Sequence, residues 1–182
     1  APSCPQGQLA LLEAGVPPLL AQILSARGVE SAQQARALLS SQSAPLHDPL
    51  LLRDMDRAVE RVRRALEQDE GMAVYGDYDV DGITSTCLLT DFLSSLGGRV
   101  LPYIPDRLEE GYGLNQEAVE TLARQGVSLI ITVDCGITAV EEVARAAELG
   151  IDVIITDHHE CKQDLPQAWA VVDPHRPDCP YP

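Results

Sequence analysis

Three short clusters of acidic and histidine residues each follow an apolar run, and their side chains are suited to binding metal ions and phosphate. The clusters occupy residues 76–82 (Gly-Asp-Tyr-Asp-Val-Asp-Gly), 133–136 (Val-Asp-Cys-Gly) and 156–159 (Thr-Asp-His-His). Because the carboxyl ends of parallel strands share one edge of a sheet, we expect these residues to converge in one pocket. Carboxylates packed together repel one another, and divalent cations stabilise such a group. The sequence therefore predicts a metal site for phosphate chemistry.

The first cluster holds three aspartates at alternating positions, Asp77, Asp79 and Asp81. Alternate residues of an extended segment face the same side, so an extended conformation would direct the three carboxylates to one place. Hard oxygen ligands at that spacing suit Mg²⁺ or Mn²⁺. The alternative interpretation is an acidic loop that only caps a helix, but capping requires one such residue and this cluster has three.

Glycines flank the first cluster, and a helix is expected to begin just after it. Gly76 and Gly82 allow a tight turn out of the strand. A helix that begins near Ile83 would direct its N-terminal amide groups at the same pocket. Thr84 and Ser85 are therefore expected either to cap this helix or to contact phosphate.

The second and third clusters add a single aspartate and a pair of histidines. Asp134 alone could cap a helix, but its central position suggests a carboxylate that bridges two cations. A lone histidine near a strand end is ordinarily structural. The adjacent His158 and His159, beside carboxylates, instead fit one metal ligand and one contact for substrate phosphate. Asp157 is expected to orient one imidazole without being a ligand itself.

Strands and helices alternate from residue 72 onward, and this alternation would position the clusters. The predicted strands are 72–75, 100–104, 127–133, 153–156 and 170–172, and the predicted helices between them are 83–96, 116–124 and 139–149. The run at 127–133 has the apolar character expected of a strand buried on both faces. Repeated βα units predict an α/β fold with a mostly parallel, doubly wound sheet of about five strands.

A helical segment is predicted before the α/β region. Residues 8–40 show apolar stripes at helical spacing, and Ser31 followed by Gln34 is the pattern of a capping box. Residues 40–49 lack periodicity and are typical of a linker. A further helix is predicted over residues 53–68, with apolar side chains on one face and charged ones on the other.

Two regions are therefore expected along the chain. The first is an N-terminal helical segment and linker over residues 1–50, and the second is a catalytic α/β domain over residues 51–182. All three clusters fall in the second region. No helix is predicted after the last strand, so we expect this domain to be cut short at its C-terminus.

The charge balance limits how the chain would contact nucleic acid. Thirteen basic and 28 acidic residues give a formal net charge of −15. Affinity for phosphate backbones comes from Lys and Arg, so a nucleic-acid surface spread over this chain is excluded and any such contact must be local or supplied by other sequence. There is no long apolar stretch and no signal sequence, which predicts no membrane segment.

The cysteines favour a reducing compartment. There are five, an odd number, without CxxC spacing. We therefore expect free thiols and a cytoplasmic protein rather than a disulfide framework. Cys161 and Cys179 lie on either side of His175, which leaves a zinc site as an alternative, but structural zinc sites usually show tighter paired spacing.

In this order the motifs resemble the DHH phosphoesterase superfamily, which is named for its Asp-His-His signature. Supporting segments are residues 46–49 (Leu-His-Asp-Pro), 54–59 (Asp-Met-Asp-Arg-Ala-Val) and 105–115, which begins Pro-Asp-Arg-Leu-Glu-Glu-Gly. The long segment at 105–115 resembles the branch of single-strand-specific exonucleases. The resemblance extends from about residue 10 to the end of the chain.

The resemblance implies a site for two cations, Mn²⁺ or Mg²⁺, that hydrolyses phosphodiester bonds with an activated water. Transferred to this chain, it implies that Asp77 and Asp79 bind different cations and that Asp134 bridges them. His158 would join the second cation, and His159 would contact the substrate phosphate. In such sites one cation makes hydroxide available near neutral pH, while both offset charge in the transition state.

The resemblance further implies 5′-to-3′ degradation of single-stranded DNA in repair and recombination, with a single-strand-binding protein or a helicase as partner. Arg107 is a candidate phosphate contact, with a surface ion pair to Glu109 or Glu110 as the alternative. Tyr75 stands where many members have a histidine ligand, so one cation is expected to bind more weakly. A further ligand and a substrate-binding domain are expected downstream, so little nuclease activity is expected of this chain alone.

Three other functions stay open from the sequence. A haloacid-dehalogenase-like phosphatase would use Asp79 as nucleophile and Asp81 as acid and base, but it leaves Asp77 and the histidine pair unexplained. A phosphodiesterase for short oligonucleotides or cyclic dinucleotides would use the same site on another substrate. A non-catalytic nucleotide-binding module would retain the fold without the reaction.

Overall fold

The computed structural model describes residues 5–40, 46–106, 111, 113–162 and 164–182. The chain divides into two compact units, Ala1–Leu46 and His47–Pro182. Each unit has buried hydrophobic clusters of its own. No helix of the described residues is long and apolar enough to cross a membrane.

The first unit is a group of three short helices. These are α1 (Pro5–Glu13), α2 (Pro18–Ala26) and α3 (Ala32–Leu39). The predicted capping box is present at the start of α3, where Ser31 Oγ accepts the Gln34 amide at 3.2 Å and Gln34 Oε1 accepts the Ser31 amide at 3.1 Å. The apolar stripes bury a small core made of Leu11, Ala21, Leu24, Val29 and Ala35.

The second unit is built on a five-stranded sheet in which every pairing is parallel. Its strands are β1 (Gly71–Tyr75), β2 (Arg99–Tyr103), β3 (Val127–Val133), β4 (Asp152–Thr156) and β5 (Ala170–Val172). The spatial order is β2-β1-β3-β4-β5, so the direction of winding reverses between β1 and β3. Ligands of open α/β sheets bind beyond the carboxyl ends of the strands at such a reversal. The topology thus selects one edge of the sheet.

Helices cover both faces of the sheet, which confirms the doubly wound α/β fold. They are α4 (Met55–Glu67), α5 (Val80–Ser95), α6 (Gln116–Arg124) and α7 (Val140–Glu148), and a short 3₁₀ helix, Pro49–Leu51, precedes them. One core joins the sheet to α6 and α7 through residues such as Leu122 and Val143. The other joins it to α4 and α5 through Ala65 and Leu93. The strands β1, β3, β4 and β5 are therefore buried from both sides, as their apolar sequences require, whereas the edge strand β2 is largely exposed.

The first acidic cluster differs from the prediction because α5 begins at Val80, three residues earlier than expected. Asp79 is the N-cap of α5, and its Oδ1 accepts the Gly82 amide at 2.9 Å. Asp81 consequently lies in the first helical turn. The prediction that Asp77, Asp79 and Asp81 alternate along an extended segment is wrong, since a helix turns successive side chains by about 100°.

A buried arginine anchors the opposite end of the sheet. Arg61 of α4 is 3% exposed and donates to Glu70 and to Asp152, both at 2.6 Å. Glu70 precedes β1 and Asp152 begins β4. Removing one partner of such a buried pair leaves an uncompensated charge, so this network ties α4 to the amino ends of the strands.

Candidate metal centre

The predicted site residues lie along the carboxyl edge of the sheet where the winding reverses. Asp77 lies two residues after β1, Asp134 follows β3 directly, and Asp157 follows β4 directly. Strand pairing holds the latter two turns together, because the Asp134 amide donates to the Thr156 carbonyl at 3.0 Å. The three sequence clusters therefore meet at one edge.

Asp134, His158 and His159 form the tightest group of potential ligands among the described residues. One ligand atom from each lies within 4.8 Å of the others. His158 Nε2 lies 2.9 Å from Asp134 Oδ1. Adjacent ligands of an octahedral Mg²⁺, with bonds of about 2.1 Å, lie about 3 Å apart. Asp134 and His158 therefore already have the separation of neighbouring ligands, and these residues fit a hard divalent cation.

Asp134 is held in an uncommon backbone conformation, with a φ of 60°. Non-glycine residues in the left-handed region persist only where the surroundings hold them, and they cluster at functional sites. The turn is braced by Thr132, whose hydroxyl donates to the Cys135 carbonyl at 2.8 Å. A Cβ on Gly136 would lie 2.7 Å from that hydroxyl oxygen, so only glycine leaves room for it.

Burial raises the pKa of Asp134, and the neighbouring charge of Asp79 adds to this rise. The hydrogen bond with His158 acts in the opposite direction but does not outweigh them. Burial and the repulsion from Asp79 together thus disfavour the ionised form of Asp134. A bound cation would relieve this repulsion.

Asp157 organises the histidine pair. Its Oδ1 accepts the His158 amide at 2.7 Å, the His159 amide at 3.2 Å and His159 Nδ1 at 2.7 Å. Its Oδ2 accepts the Ile137 amide at 2.9 Å, which ties the turn after β3 to the turn after β4. The hydrogen bond to Asp157 raises the pKa of His159. His159 thus tends toward the imidazolium form, which suits contact with an anionic phosphate.

Asp77 and Asp79 lie at the same edge but outside this three-residue group. Asp77 is 2% exposed, and its carboxylate accepts the Tyr78 amide at 2.7 Å. A Cβ on Gly82 would lie 2.5 Å from the Asp77 nitrogen, so the first turn of α5 packs directly on Asp77. Asp79 is exposed and caps α5, and its charge acts on Asp134.

An open pocket of about 330 Å³ lies at this edge. Its lining residues are Asp81, Ser85, Asp134, Thr156, Asp157 and His158. Ser85, predicted as a helix cap or a phosphate contact, lines this pocket. Thr84 does not line the pocket, because its hydroxyl donates back into α5 to the carbonyl of Val80 at 2.7 Å. The prediction that Thr84 or Ser85 caps α5 is wrong, because Asp79 does so.

Tyr75 does not occupy a ligand position. Its side chain is fully buried, its hydroxyl donates to the Gly113 carbonyl at 2.8 Å, and it accepts Asn115 Nδ2 at 3.2 Å. Its ring stacks on Tyr103 with centroids 5.2 Å apart. Tyr75 therefore anchors the segment before α6 in the interior. The candidate phosphate contact Arg107 lies outside the described residues.

A zinc site has no support in the described part of the chain. Cys87, Cys135, Cys161 and Cys179 are free thiols. Neither Cys161 nor Cys179 belongs to a group of three potential ligands among the described residues. Burial raises the pKa of the Cys135 thiol, which makes it an inert, protonated group.

Asp173 was not among the site residues predicted from the sequence. Asp173 follows β5 directly, as Asp134 follows β3 and Asp157 follows β4, so the same strand-end rule could have found it. Its side chain is fully buried, and Oδ1 accepts the His175 amide at 2.7 Å. Oδ2 has no hydrogen-bond partner among the described residues. Burial raises its pKa.

The part of the chain that contains this edge is similar to known proteins. The family model described as the DHH family, N-terminal domain, matches residues 71–180. A single-stranded-DNA-specific exonuclease RecJ of Bacillus subtilis (strain 168) is 47% identical over 167 residues, which are 92% of this chain and 21% of that protein. The RecJ of Escherichia coli (strain K12) is 40% identical over 172 residues, which are 94% of this chain and 29% of that protein.

Solved structures give the same relation. A crystal structure of exonuclease RecJ bound to manganese superposes with a TM-score of 0.63 at 40% identity, covering 76% of this chain and 34% of that one. RecJ from Thermus thermophilus in complex with Mn²⁺ superposes with a TM-score of 0.65 at 32% identity, covering 98% of this chain and 25% of that one. The chain thus spans between about a fifth and a third of the length of these relatives.

Proposed function

The chain belongs to the DHH family, whose N-terminal domain it contains at residues 71–180, and from this premise we propose that it forms the cation-binding part of a phosphodiesterase. The observation on which the proposal rests is the group of Asp134, His158 and His159 within 4.8 Å at the carboxyl edge of the sheet. The reaction we assign to it is 5′-to-3′ exonucleolytic hydrolysis of single-stranded DNA, a substrate that the names of the RecJ relatives indicate.

Asp134 and His158 would hold a divalent cation, Mn²⁺ or Mg²⁺, with Asp77 and Asp79 as further carboxylate ligands and Asp134 between two ions. The 2.9 Å separation of Asp134 and His158 and the raised pKa of Asp134 both support this assignment. The bound ions would supply a hydroxide near neutral pH and offset the charge of the transition state. Asp79 would keep its capping bond to α5 through Oδ1 and present its other oxygen.

His159 would bind the substrate phosphate. Asp157 holds Nδ1 of His159 at 2.7 Å and so fixes the ring, which would meet a phosphate oxygen of the substrate. Protonation favoured by Asp157 adds a positive charge beside that oxygen. Ser85, which lines the same pocket, offers a neutral donor.

Because the net charge is −15, binding of a DNA strand would rely on a few local basic side chains or on the parts of the RecJ relatives that this chain does not match. Arg107 is the candidate within this chain. Repair and recombination, a cytoplasmic location, and a single-strand-binding protein or a helicase as partner belong to the same proposal. The location rests on the odd number of cysteines without CxxC spacing, and the other assignments rest on the likeness to the RecJ proteins.

Calorimetric titration of the chain with Mn²⁺ tests the cation site. We expect binding by the unaltered chain and at least about tenfold weaker binding by Asp134→Asn, which keeps the shape but removes the charge. Asp164→Asn is the matched control, because this exposed aspartate lies outside the site and its loss changes the net charge equally. Equally weak binding by the unaltered chain and Asp134→Asn would refute the site.

The substrate class is tested separately, with single-stranded DNA labelled at either end. Loss of nucleotides from the 5′ end first, dependent on Mn²⁺ and abolished in Asp134→Asn, is expected of a protein in which this domain is joined to the remaining length of the RecJ relatives. Hydrolysis of cyclic dinucleotides or of very short oligonucleotides, without action on long strands, would overturn the assigned substrate but not the cation site.

A further inference from the structure

Asp173 has one unpaired oxygen in a buried carboxylate at the edge that holds the candidate site. The side chain is fully buried, and only Oδ1 has a partner among the described residues, the amide of His175. In the same part of the chain Oδ2 accepts no hydrogen bond. Leaving a buried polar atom unpaired destabilises a fold, and the cost is larger for a charged group. Such an atom in a folded protein calls for an explanation in terms of function.

Strand register places Asp173 beside the Asp-His-His segment. Thr156 of β4 pairs with Val172 of β5, and the Asp157 amide donates to the Val172 carbonyl at 3.1 Å. Asp157 and Asp173 therefore occupy the next position on two adjacent parallel strands. Asp173 also interacts electrostatically with His158 and His159.

His158 has the complementary unpaired group. Its Nε2 faces Asp134 at 2.9 Å, whereas Nδ1 has no hydrogen-bond partner among the described residues. A histidine that binds a metal through one ring nitrogen almost always donates the proton of the other to a carboxylate, a carbonyl or a water. If Nε2 is to bind a cation held with Asp134, the ring proton must be on Nδ1, and that proton needs an acceptor.

The carboxylates that directly follow β3 and β4 are already engaged. Asp157 accepts four N–H groups, from Ile137, His158 and His159. Asp134 already contacts Nε2 of His158. Asp173 Oδ2 is the remaining buried carboxylate oxygen at the ends of β4 and β5 that has no partner in the described part of the chain.

We propose that Asp173 is a positioning residue for His158, whose Nδ1–H it accepts through Oδ2, either directly or through one water molecule, when a cation is bound at the site. This inference rests on the proposed function, because it requires His158 to bind a cation. It assigns Asp173 no contact with the cation or with substrate. Its role is to fix the orientation and the tautomer of the imidazole ligand.

Asp173→Asn separates this role from folding. The amide oxygen can still accept the His175 amide, but the amide nitrogen cannot accept a proton from His158. We expect Mg²⁺ and Mn²⁺ to bind about 10–100-fold more weakly, as measured by calorimetry on the intact chain. Asp164→Asn, with the same loss of charge at an exposed position, should bind within about twofold of the unaltered chain; thermal unfolding checks that both variants are folded.

The tautomer of His158 in the unaltered protein gives a second, independent measurement. Nitrogen-15 spectra of the imidazole with saturating Mg²⁺ should show Nδ1 protonated and Nε2 unprotonated, and Asp173→Asn should show a mixture of forms. A ring protonated on Nε2 in the Mg²⁺-bound chain would overturn the inference even if Asp173→Asn failed to fold.

The outcomes separate the inference from the function it rests on. If the unaltered chain binds Mg²⁺ and Asp173→Asn binds it equally well, with the same tautomer, the inference is refuted and the cation site stands. If the unaltered chain binds neither Mg²⁺ nor Mn²⁺, the proposed function is refuted, and the role of Asp173 falls with it.

Discussion

Replacing Asp157 by asparagine tests whether this carboxylate organises the candidate site. The carboxylate accepts four N–H groups, three of them on Oδ1 from the two histidines and one on Oδ2 from Ile137. Asparagine has a single acceptor oxygen. If that oxygen stays with the histidines, the Asn amide nitrogen faces the Ile137 N–H, so two buried donors oppose each other and neither is paired.

The magnitude follows from these contacts. Ile137 is 2% exposed and Asp157 9%, so water cannot replace the lost bond. One unpaired buried group costs about 1–3 kcal/mol, and hydrogen bonds to a charged acceptor are stronger by about 1 kcal/mol than those to a neutral one. We therefore expect Asp157→Asn to lower the free energy of unfolding by about 2–4 kcal/mol, or the melting temperature by roughly 5–15 °C.

Urea unfolding followed by circular dichroism measures this change without any cation present. Asp164→Asn is the matched control and should stay within about 0.5 kcal/mol of the unaltered chain, because it is exposed. A change of less than about 0.5 kcal/mol in Asp157→Asn would refute the reasoning, since it would mean that the Ile137 contact does not hold the turns after β3 and β4 together.

Two further changes test the packing that supports the site. Gly82→Ala would place a Cβ 2.5 Å from the Asp77 nitrogen, and we expect it to destabilise the fold by at least about 1–3 kcal/mol in urea unfolding; a neutral result would contradict the close packing of α5. Burial alone would raise the pKa of Glu70, but the hydrogen bond from Arg61 and its other partners outweigh burial and hold the pKa below its ordinary value of 4.5. Since folding lowers this pKa, the stabilisation is present above about pH 4.5 and is lost as the pH falls through the lowered value. Glu70→Gln should therefore be less stable than the unaltered chain at pH 7, and the difference should shrink at pH 3; an equal difference at both pH values would contradict this explanation.

Some elements could be predicted within their exact bounds because their own residues favour a single conformation. The strand Val127–Val133 agrees with its predicted range, since a central parallel strand is apolar almost throughout. The helix Gln116–Arg124 also agrees, and its start is set locally because Asn115 caps it through the Ala118 amide at 2.7 Å. The strand is recognised by its own apolar residues and the helix by the capping residue next to it, and both signals are visible in a sequence.

The start of α5 could not be predicted in the same way. Whether the helix begins at Val80 or near Ile83 depends on Gly82, which allows the first turn to pack against the backbone of Asp77. That contact comes from the arrangement of β1 and α5 in space. As a result Asp81 lies in a helical turn and not in an extended segment, so the side chains of the three aspartates in this cluster do not share one direction.

The sequence by itself determined that Asp134, Asp157 and the histidine pair lie close together, because residues directly after parallel strands lie at one edge of the sheet. Only the tertiary structure decided how they pair: Asp134 with His158, Asp157 with His159, and Asp173 with an oxygen left unpaired among the described residues. The physical reason is that a strand end fixes the position of a residue, whereas the direction of its side chain depends on turn dihedrals, such as the φ of 60° at Asp134, and on donors from distant parts of the chain.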